Sequence, residues 1–373
     1  MLRSKKLYYN VGCLIGHCMS IVCRVSKMND ESIKQELEAA DRTIRQSPLC
    51  IRTPLLADCW AMFQSCWSEK MKNSAPSKLS LKLEHLQSFG SFKIRGVVNQ
   101  MQHLPDDARS RKVKLVTMSA GNYGRAFAEA CHRNNLDGLV VLPEFAPESR
   151  VQFIESKGLA TERSSNIICR IKEHQNNGCL FLHSYDDPLL FYGYGSASKE
   201  IFEDEPLVDV IVTGCGGGGF LSGVALDAKL RNPGCEIYGV EPCNANAMHR
   251  SFELGEAFVL PPNSRSIASG LSAPSAGEHA YRVCREKVKE IILVTEEEIK
   301  KAVHALYDHG LLVEPAGSAV FAALMCDKIP DIANKNVVLV LSGRNMTANE
   351  LFNMHNVPAE VIAEMPSESP AKQ

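Results

Sequence analysis

A two-lobed α/β fold, with parallel-rich sheets flanked by helices, is what the sequence predicts, and three observations carry it. Strand-like and helix-like patterns alternate along nearly the whole chain, the order expected of parallel sheets covered on both faces. The 373 residues suffice for about two domains of roughly 100–200 residues each. No internal repeat at a fixed period and no long linker interrupts the alternation.

The first 27 residues stand apart. Arg3, Lys5, Lys6, Arg24 and Lys27 are basic, no acid accompanies them, and Val11–Cys23 is mostly apolar. That run is shorter than the about 20 residues a membrane span needs. Two readings stay open: a mitochondrial presequence, or an extension upstream of an alternative start at Met28. Beyond it, Ile33, Leu37, Ala40 and Ile44 recur at helical spacing, with acids early and Arg42 and Arg45 late, as a helix dipole favours. Leu79–Glu84 alternates as a strand does. The turn Ser91-Phe92-Lys93-Ile94-Arg95-Gly96 then opens a helix predicted to reach about Gln102.

Val113–Met118, the turn Ser119-Ala120-Gly121-Asn122 and Tyr123–Arg133 read as strand, turn and helix. Leu139–Leu142 is a strand, Glu148–Lys157 a helix stopped by Gly158, Asn166–Gln175 a helix and Cys179–Leu182 a strand. Leu207–Thr213 is an apolar strand that feeds Gly214-Cys215-Gly216-Gly217-Gly218-Gly219, then a helix over Phe220–Leu230 and a strand over Glu236–Val240. That is a complete βαβ unit. Thr295 and Glu298 have capping-box spacing, Glu314-Pro315 starts a helix, and Asn336–Leu341 is a last strand ending in Ser342-Gly343-Arg344-Asn345.

Composition is that of an ordinary globular protein, 45% hydrophobic and 23% charged. The net charge of −2 supports neither a nucleic-acid nor an anionic-membrane partner, and no segment is long and apolar enough to span a bilayer. The 14 cysteines form no CxxC pair or zinc-type quartet. Cys131, Cys169, Cys215 and Cys326 lie in apolar or helical stretches, which predicts reduced, mostly buried thiols of an intracellular, cytoplasmic protein.

Four stretches carry chemistry. Lys93 lies between Phe92 and Ile94, where burial would lower its pKa and make the amine nucleophilic toward an aldehyde. Gly216, Gly217, Gly218 and Gly219 stand between a strand and a helix, so their backbone amides can converge on a phosphate. Together they point to an aldehyde that bears a phosphate, which is pyridoxal phosphate. Ser119, Ala120, Gly121 and Asn122 occupy a strand-to-helix turn, where amides would hold a substrate carboxylate and Asn122 a ring oxygen. Ser342 closes the last strand, where a hydroxyl can face a ring nitrogen without forcing it to stay protonated.

The ordered set SFKIRG, SAGN, GGGG, EPAG and SG-N resembles the fold type II pyridoxal-phosphate enzymes, which are tryptophan synthase β-like in fold. Within them it is most similar to the serine/threonine dehydratase and serine racemase group, over about Thr53 to Asn345. The resemblance implies that Lys93 carries the cofactor as a Schiff base and acts as base at the substrate's α-carbon. It implies that Phe92 packs near the ring and Asn122 binds its 3-oxygen. Gly216–Gly219 would hold the phosphate, Ser342 would face the pyridine nitrogen, and Glu314 would sit near cofactor and substrate. The substrate would be a small amino acid and the assembly a homodimer. The family division would give an extension over 1–27, a large cofactor-binding lobe from 28–105 plus 188–363, a small lobe over 106–187, and a tail over 364–373.

The departures sharpen the expected activity. Racemases of this group carry a serine where this chain has Ala120, and that serine is the second proton carrier, on the ring face opposite the lysine. Alanine cannot transfer a proton, so α,β-elimination of serine or threonine to a 2-oxo acid and ammonia is expected over inversion. Two alternatives stay open: a racemase or mixed racemase–dehydratase, and a catalytically altered or non-catalytic cofactor-binding homologue. Tyr123 stands where the family has histidine, Tyr194 where its GQGT has glutamine, and Arg344 where its SGGN has the second glycine. A racemase-like divalent-cation site would use Glu241, the Ala245 carbonyl and an acid at the position of Ala247. Losing that acid weakens the expectation of a cation at Glu241.

Overall fold

The computed structural model describes residues 29–262 and 264–356. The basic extension over 1–27 and the tail over 364–373 lie outside the described residues, as does the choice between presequence and alternative start. Among the described residues the strands are β1 (Leu55–Leu56), β2 (Lys78–Lys82), β3 (Leu115–Met118), β4 (Gly138–Pro143), β5 (Ala160–Ser164), β6 (Leu180–Phe181), β7 (Val210–Gly214), β8 (Glu236–Pro242), β9 (Glu290–Val294) and β10 (Asn336–Val340). They form a six-stranded sheet, ordered β1-β2-β10-β7-β8-β9, and a four-stranded sheet, ordered β5-β4-β3-β6. Every pair is parallel except β1 with β2.

The apolar runs explain the sheets. Val210 to Gly214 is buried at every position, and so is Val337 to Val340. Alternation is absent because helices cover both faces. The register then fixes the site. Val340 lies opposite Lys82, and Leu339 lies opposite both Leu81 and Val212, so β2, β10 and β7 run side by side in one direction. The lysine turn, Ser342 and the glycine loop follow these three strands at their carboxyl ends. The Ser119–Asn122 turn follows β3 at the carboxyl end of the other sheet. Open parallel sheets bind ligands along that edge.

The helix Pro188–Asp204 is not foreshadowed by the sequence pattern. It contains Gly193 and Gly195, each of which lowers helix propensity by about 1 kcal/mol relative to alanine. Packing imposes it: a Cβ on Gly193 would come within 2.7 Å of the Arg95 carbonyl oxygen, so the lysine helix (Lys93–Gln102) approaches closely here. The polar edge strand β5, strand β9 and the helices Ala247–Leu254 and Glu278–Lys287 were likewise unmarked by periodicity. The Thr295 capping box forms as spacing predicts, with Thr295 N donating to Glu298 Oε2 at 2.7 Å and Glu298 N to Thr295 Oγ1 at 3.3 Å.

The described cysteines are all free. Cys131 and Cys215 are buried, whereas Cys169, expected among the buried thiols, is exposed and Cys326 is half-buried. No helix among the described residues is long and apolar enough to cross a membrane.

Candidate active site

The lysine turn is held from below by buried charge. Arg95, two residues after Lys93, is fully buried and donates to both Glu84 oxygens at 2.7 and 2.8 Å and to both Glu200 oxygens at 2.8 Å. Lys82 Nζ completes the cluster, 2.6 Å from Glu200 Oε2 and 2.7 Å from the Thr53 carbonyl. Two cations and two carboxylates thus tie β2, the lysine helix and the helix Pro188–Asp204 together. From the side, the turn is stitched to the end of β10. Phe92 N donates to the Ser342 carbonyl at 3.2 Å, and Ser91 pairs with Gly343.

Lys93 itself makes no ion pair among the described residues. Its Nζ lies 5.0 Å from the Phe92 ring centroid and 5.6 Å from that of Tyr194. Burial pushes the amine down from 10.5 to about 8. The two ring faces attract the ammonium form, by about 2 kcal/mol where it is desolvated, and so oppose part of that shift. Lys93 is half-buried, so part of its side chain still meets solvent.

The glycine loop is shaped by what surrounds it. Gly218 has φ +94°, a left-handed conformation that favours glycine, and it caps the helix Gly219–Arg231. A Cβ on Gly217 would fall 2.1 Å from the Tyr185 ring, so no side chain fits there. The amides of Gly216, Gly217, Gly218 and Gly219 find no acceptor among the described residues. A helix N-terminus with several free donors suits a phosphate, and this donor set fits the phosphate of pyridoxal phosphate. Tyr185 has no forewarning in the glycine pattern, and only the segment Tyr185-Asp186-Asp187-Pro188 ahead of a helix could have marked it. Its hydroxyl lies 3.1 Å from Ser275 Oγ, while Asp186 accepts from Ala280 N at 3.0 Å and so anchors the helix beside the loop.

The Ser119–Asn122 turn meets the end of β10 through Asn122 and Asn345. Gly121 N donates to Ser119 Oγ at 3.2 Å, and the helix Asn122–Arg133 starts with no side-chain cap. Its first amides, at Asn122, Tyr123 and Gly124, find no acceptor among the described residues, which suits a carboxylate. Ala120 is half-buried and presents only a methyl group. The Asn122 side chain bridges the two sheets: Nδ2 donates to Glu314 Oε1 at 2.5 Å, and Oδ1 accepts from Asn345 Nδ2 at 2.7 Å. Burial raises Glu314 to about 7 despite the bond from Asn122. Asn345, which joins this chain of contacts, was legible in the sequence only as the last letter of a motif.

Three departures resolve differently. Tyr123 turns into the core, where its hydroxyl donates to Gln100 Oε1 at 2.7 Å. Arg344 is half-buried, its amide bonds Gly90 O at 2.8 Å, and its charge adds to the burial that lowers His85 to about 4. Glu241 is fully buried, and its two oxygens accept from Met248 N at 2.9 Å and His249 N at 2.8 Å and so cap the helix Ala247–Leu254. Burial raises it to about 8. Among the described residues no three potential ligands cluster.

The family model described as "Pyridoxal-phosphate dependent enzyme" matches residues 51–343. The L-threonine ammonia-lyase of Thermotoga maritima is 31% identical over 295 residues, which cover 78% of this chain and 73% of that protein. Human serine racemase is 33% identical over 281 residues, covering 72% of this chain and 81% of that protein. The solved structure of maize serine racemase superposes with a TM-score of 0.75 at 28% identity, covering 86% of this chain and 96% of that one. The lysine turn, glycine loop and Ser119–Asn122 turn all lie inside the matched span, and the chain belongs to the fold type II pyridoxal-phosphate dependent enzymes, the family of the threonine dehydratases and serine racemases.

Proposed function

We propose that this protein is a pyridoxal-phosphate-dependent ammonia-lyase that removes the β-hydroxyl of L-serine or L-threonine and yields a 2-oxo acid and ammonia. One observation carries the reading: burial pushes the Lys93 amine down to about 8, and the Ser119–Asn122 turn carries Ala120, which has no proton to give. The threonine ammonia-lyase relative supports the same reaction class.

Pyridoxal phosphate, when bound, supplies an electron sink that makes the substrate's α-C–H bond acidic. Gly216–Gly219 would hold its phosphate through backbone amides and Phe92 would pack beside it. Ser342 would offer a neutral hydroxyl to the pyridine nitrogen, and Asn122 and Glu314 would contact the cofactor. The amides after Ser119 orient the substrate carboxylate, which fixes the α-hydrogen toward Lys93. Neutral Lys93 takes that proton as a general base. Ala120 has no proton to return from the other side; the Cβ–O bond breaks as the Cα–Cβ double bond forms, and the hydroxyl leaves as water with the proton that Lys93 took. Water then releases ammonia from the resulting enamine. The working form is a cytoplasmic homodimer, which light scattering and cell fractionation test.

The decisive assay follows 2-oxo acid formation from L-serine and L-threonine by the cofactor-loaded full chain. Expected is turnover of at least one. Folded, loaded protein that releases no 2-oxo acid from either would overturn the reading.

A further inference from the structure

Tyr194 takes part in no step described above, yet its ring touches both halves of the site. Two glycines form its seat. A Cβ on Gly96, in the lysine helix, would lie 2.5 Å from Tyr194 Cε1, and one on Gly223, in the glycine-loop helix, would lie 2.8 Å from Tyr194 Cβ. The ring meets Phe92 edge-on at 4.9 Å and Phe220 edge-on at 5.7 Å, and Phe92 and Phe220 stack at 3.8 Å. Lys93 Nζ lies 5.6 Å from the Tyr194 centroid. The Tyr194 hydroxyl is buried and finds no hydrogen-bond partner among the described residues.

We propose that Tyr194 is a positioning residue whose ring, not its hydroxyl, covers one side of the half-buried Lys93 amine and limits water's access to it. The role of the amine rests on the function proposed above. The neighbouring ionisable groups leave room for this wall to decide the outcome. His183 is the nearby base that feels the lysine's charge, and burial keeps it below its ordinary value. Asp187 lies within electrostatic reach of Tyr194, but burial raises it and its oxygens are engaged by Gln100 Nε2 and Leu189 N. None of them forms an ion pair with Lys93 among the described residues.

The chemistry separates ring from hydroxyl. Phenylalanine or leucine at 194 keeps that side of the amine apolar. Glutamine brings a carbonyl that accepts from an ammonium and stabilises the charged form. Alanine opens the seat to water, with the same consequence.

The test is competitive trace acetylation of the full chain freed of cofactor, across a pH series, with the Lys93 peptide quantified by mass spectrometry. Circular dichroism checks that each variant is folded. Wild type, Tyr194→Phe and Tyr194→Leu should share a midpoint near 8. Tyr194→Gln and Tyr194→Ala should raise it by about one pH unit, roughly a tenfold loss of neutral amine at neutral pH. A midpoint unmoved in the folded Gln or Ala variant overturns the proposal, and so does a Phe variant that moves with them. The measurement needs neither cofactor nor turnover. A missing 2-oxo acid therefore counts against the lyase reading, while the order of midpoints stands or falls alone.

Discussion

The two walls of the cleft are made of different materials. The lysine wall grows from the six-stranded sheet and is aromatic and braced by a buried ion cluster. The other grows from the four-stranded sheet and offers backbone amides, the Ser119 hydroxyl and the Ala120 methyl group. On the function proposed above, the first would move the α-proton and the second would hold the substrate carboxylate. That difference would turn a fold shared by eliminating and racemising relatives toward elimination, and it can be broken from either side.

Removing the amine is the largest change. Lys93→Ala should lower 2-oxo acid formation by about 10²–10⁴-fold, the range a positioned general base supplies. The assay is single-turnover product formation, and a loss under tenfold would mean that another group takes the α-proton. Next comes the brace under the lysine wall. Glu200→Gln leaves Lys82 and Arg95 buried with one carboxylate between them, and breaking such a cluster costs about 3–5 kcal/mol. Urea unfolding measures it through a lower midpoint. A shift under about 1 kcal/mol would place the cluster among ordinary surface pairs.

A smaller change tests the facing wall. Ala120→Ser restores a hydroxyl where a proton carrier would stand. Chiral chromatography of reactions started from L-serine should show D-serine from the variant and little from wild type, with elimination slowed by less than about tenfold. Abundant D-serine from wild type would mean that some other residue reaches that face and that the contrast between the walls is not chemical.

The walls also differ in how far the sequence announces them. Glycine and proline mark backbone geometry directly, so Gly216–Gly219, the Lys93 turn and the Glu314-Pro315 helix start could be read before any fold was known. Apolar runs likewise announced β7 and β10. What stayed hidden depends on contacts between distant segments. Tyr185 lies on the glycine loop only because the helix Pro188–Asp204 packs where it does, and that helix has glycines that weaken its own signal. The destination of the Tyr123 hydroxyl, 23 residues back at Gln100, is not a local property either. The Glu241 contacts are of the same kind: its oxygens meet the amides of Met248 and His249 on the next helix.

The smallest effect asks how dry the lysine wall is. Beside the amine, the buried Tyr194 hydroxyl finds no partner among the described residues. An unmatched buried hydroxyl costs about 1–3 kcal/mol, and substitution by the same ring without it relieves that cost. Tyr194→Phe should therefore stabilise the protein by about 1 kcal/mol, seen as a higher urea midpoint with an unchanged slope. The sign is the informative part, because most substitutions of buried residues destabilise. A destabilised Phe variant would mean that the hydroxyl has a partner in solution, a water or a polar atom, and that the wall facing Lys93 is wetter than its aromatic lining implies.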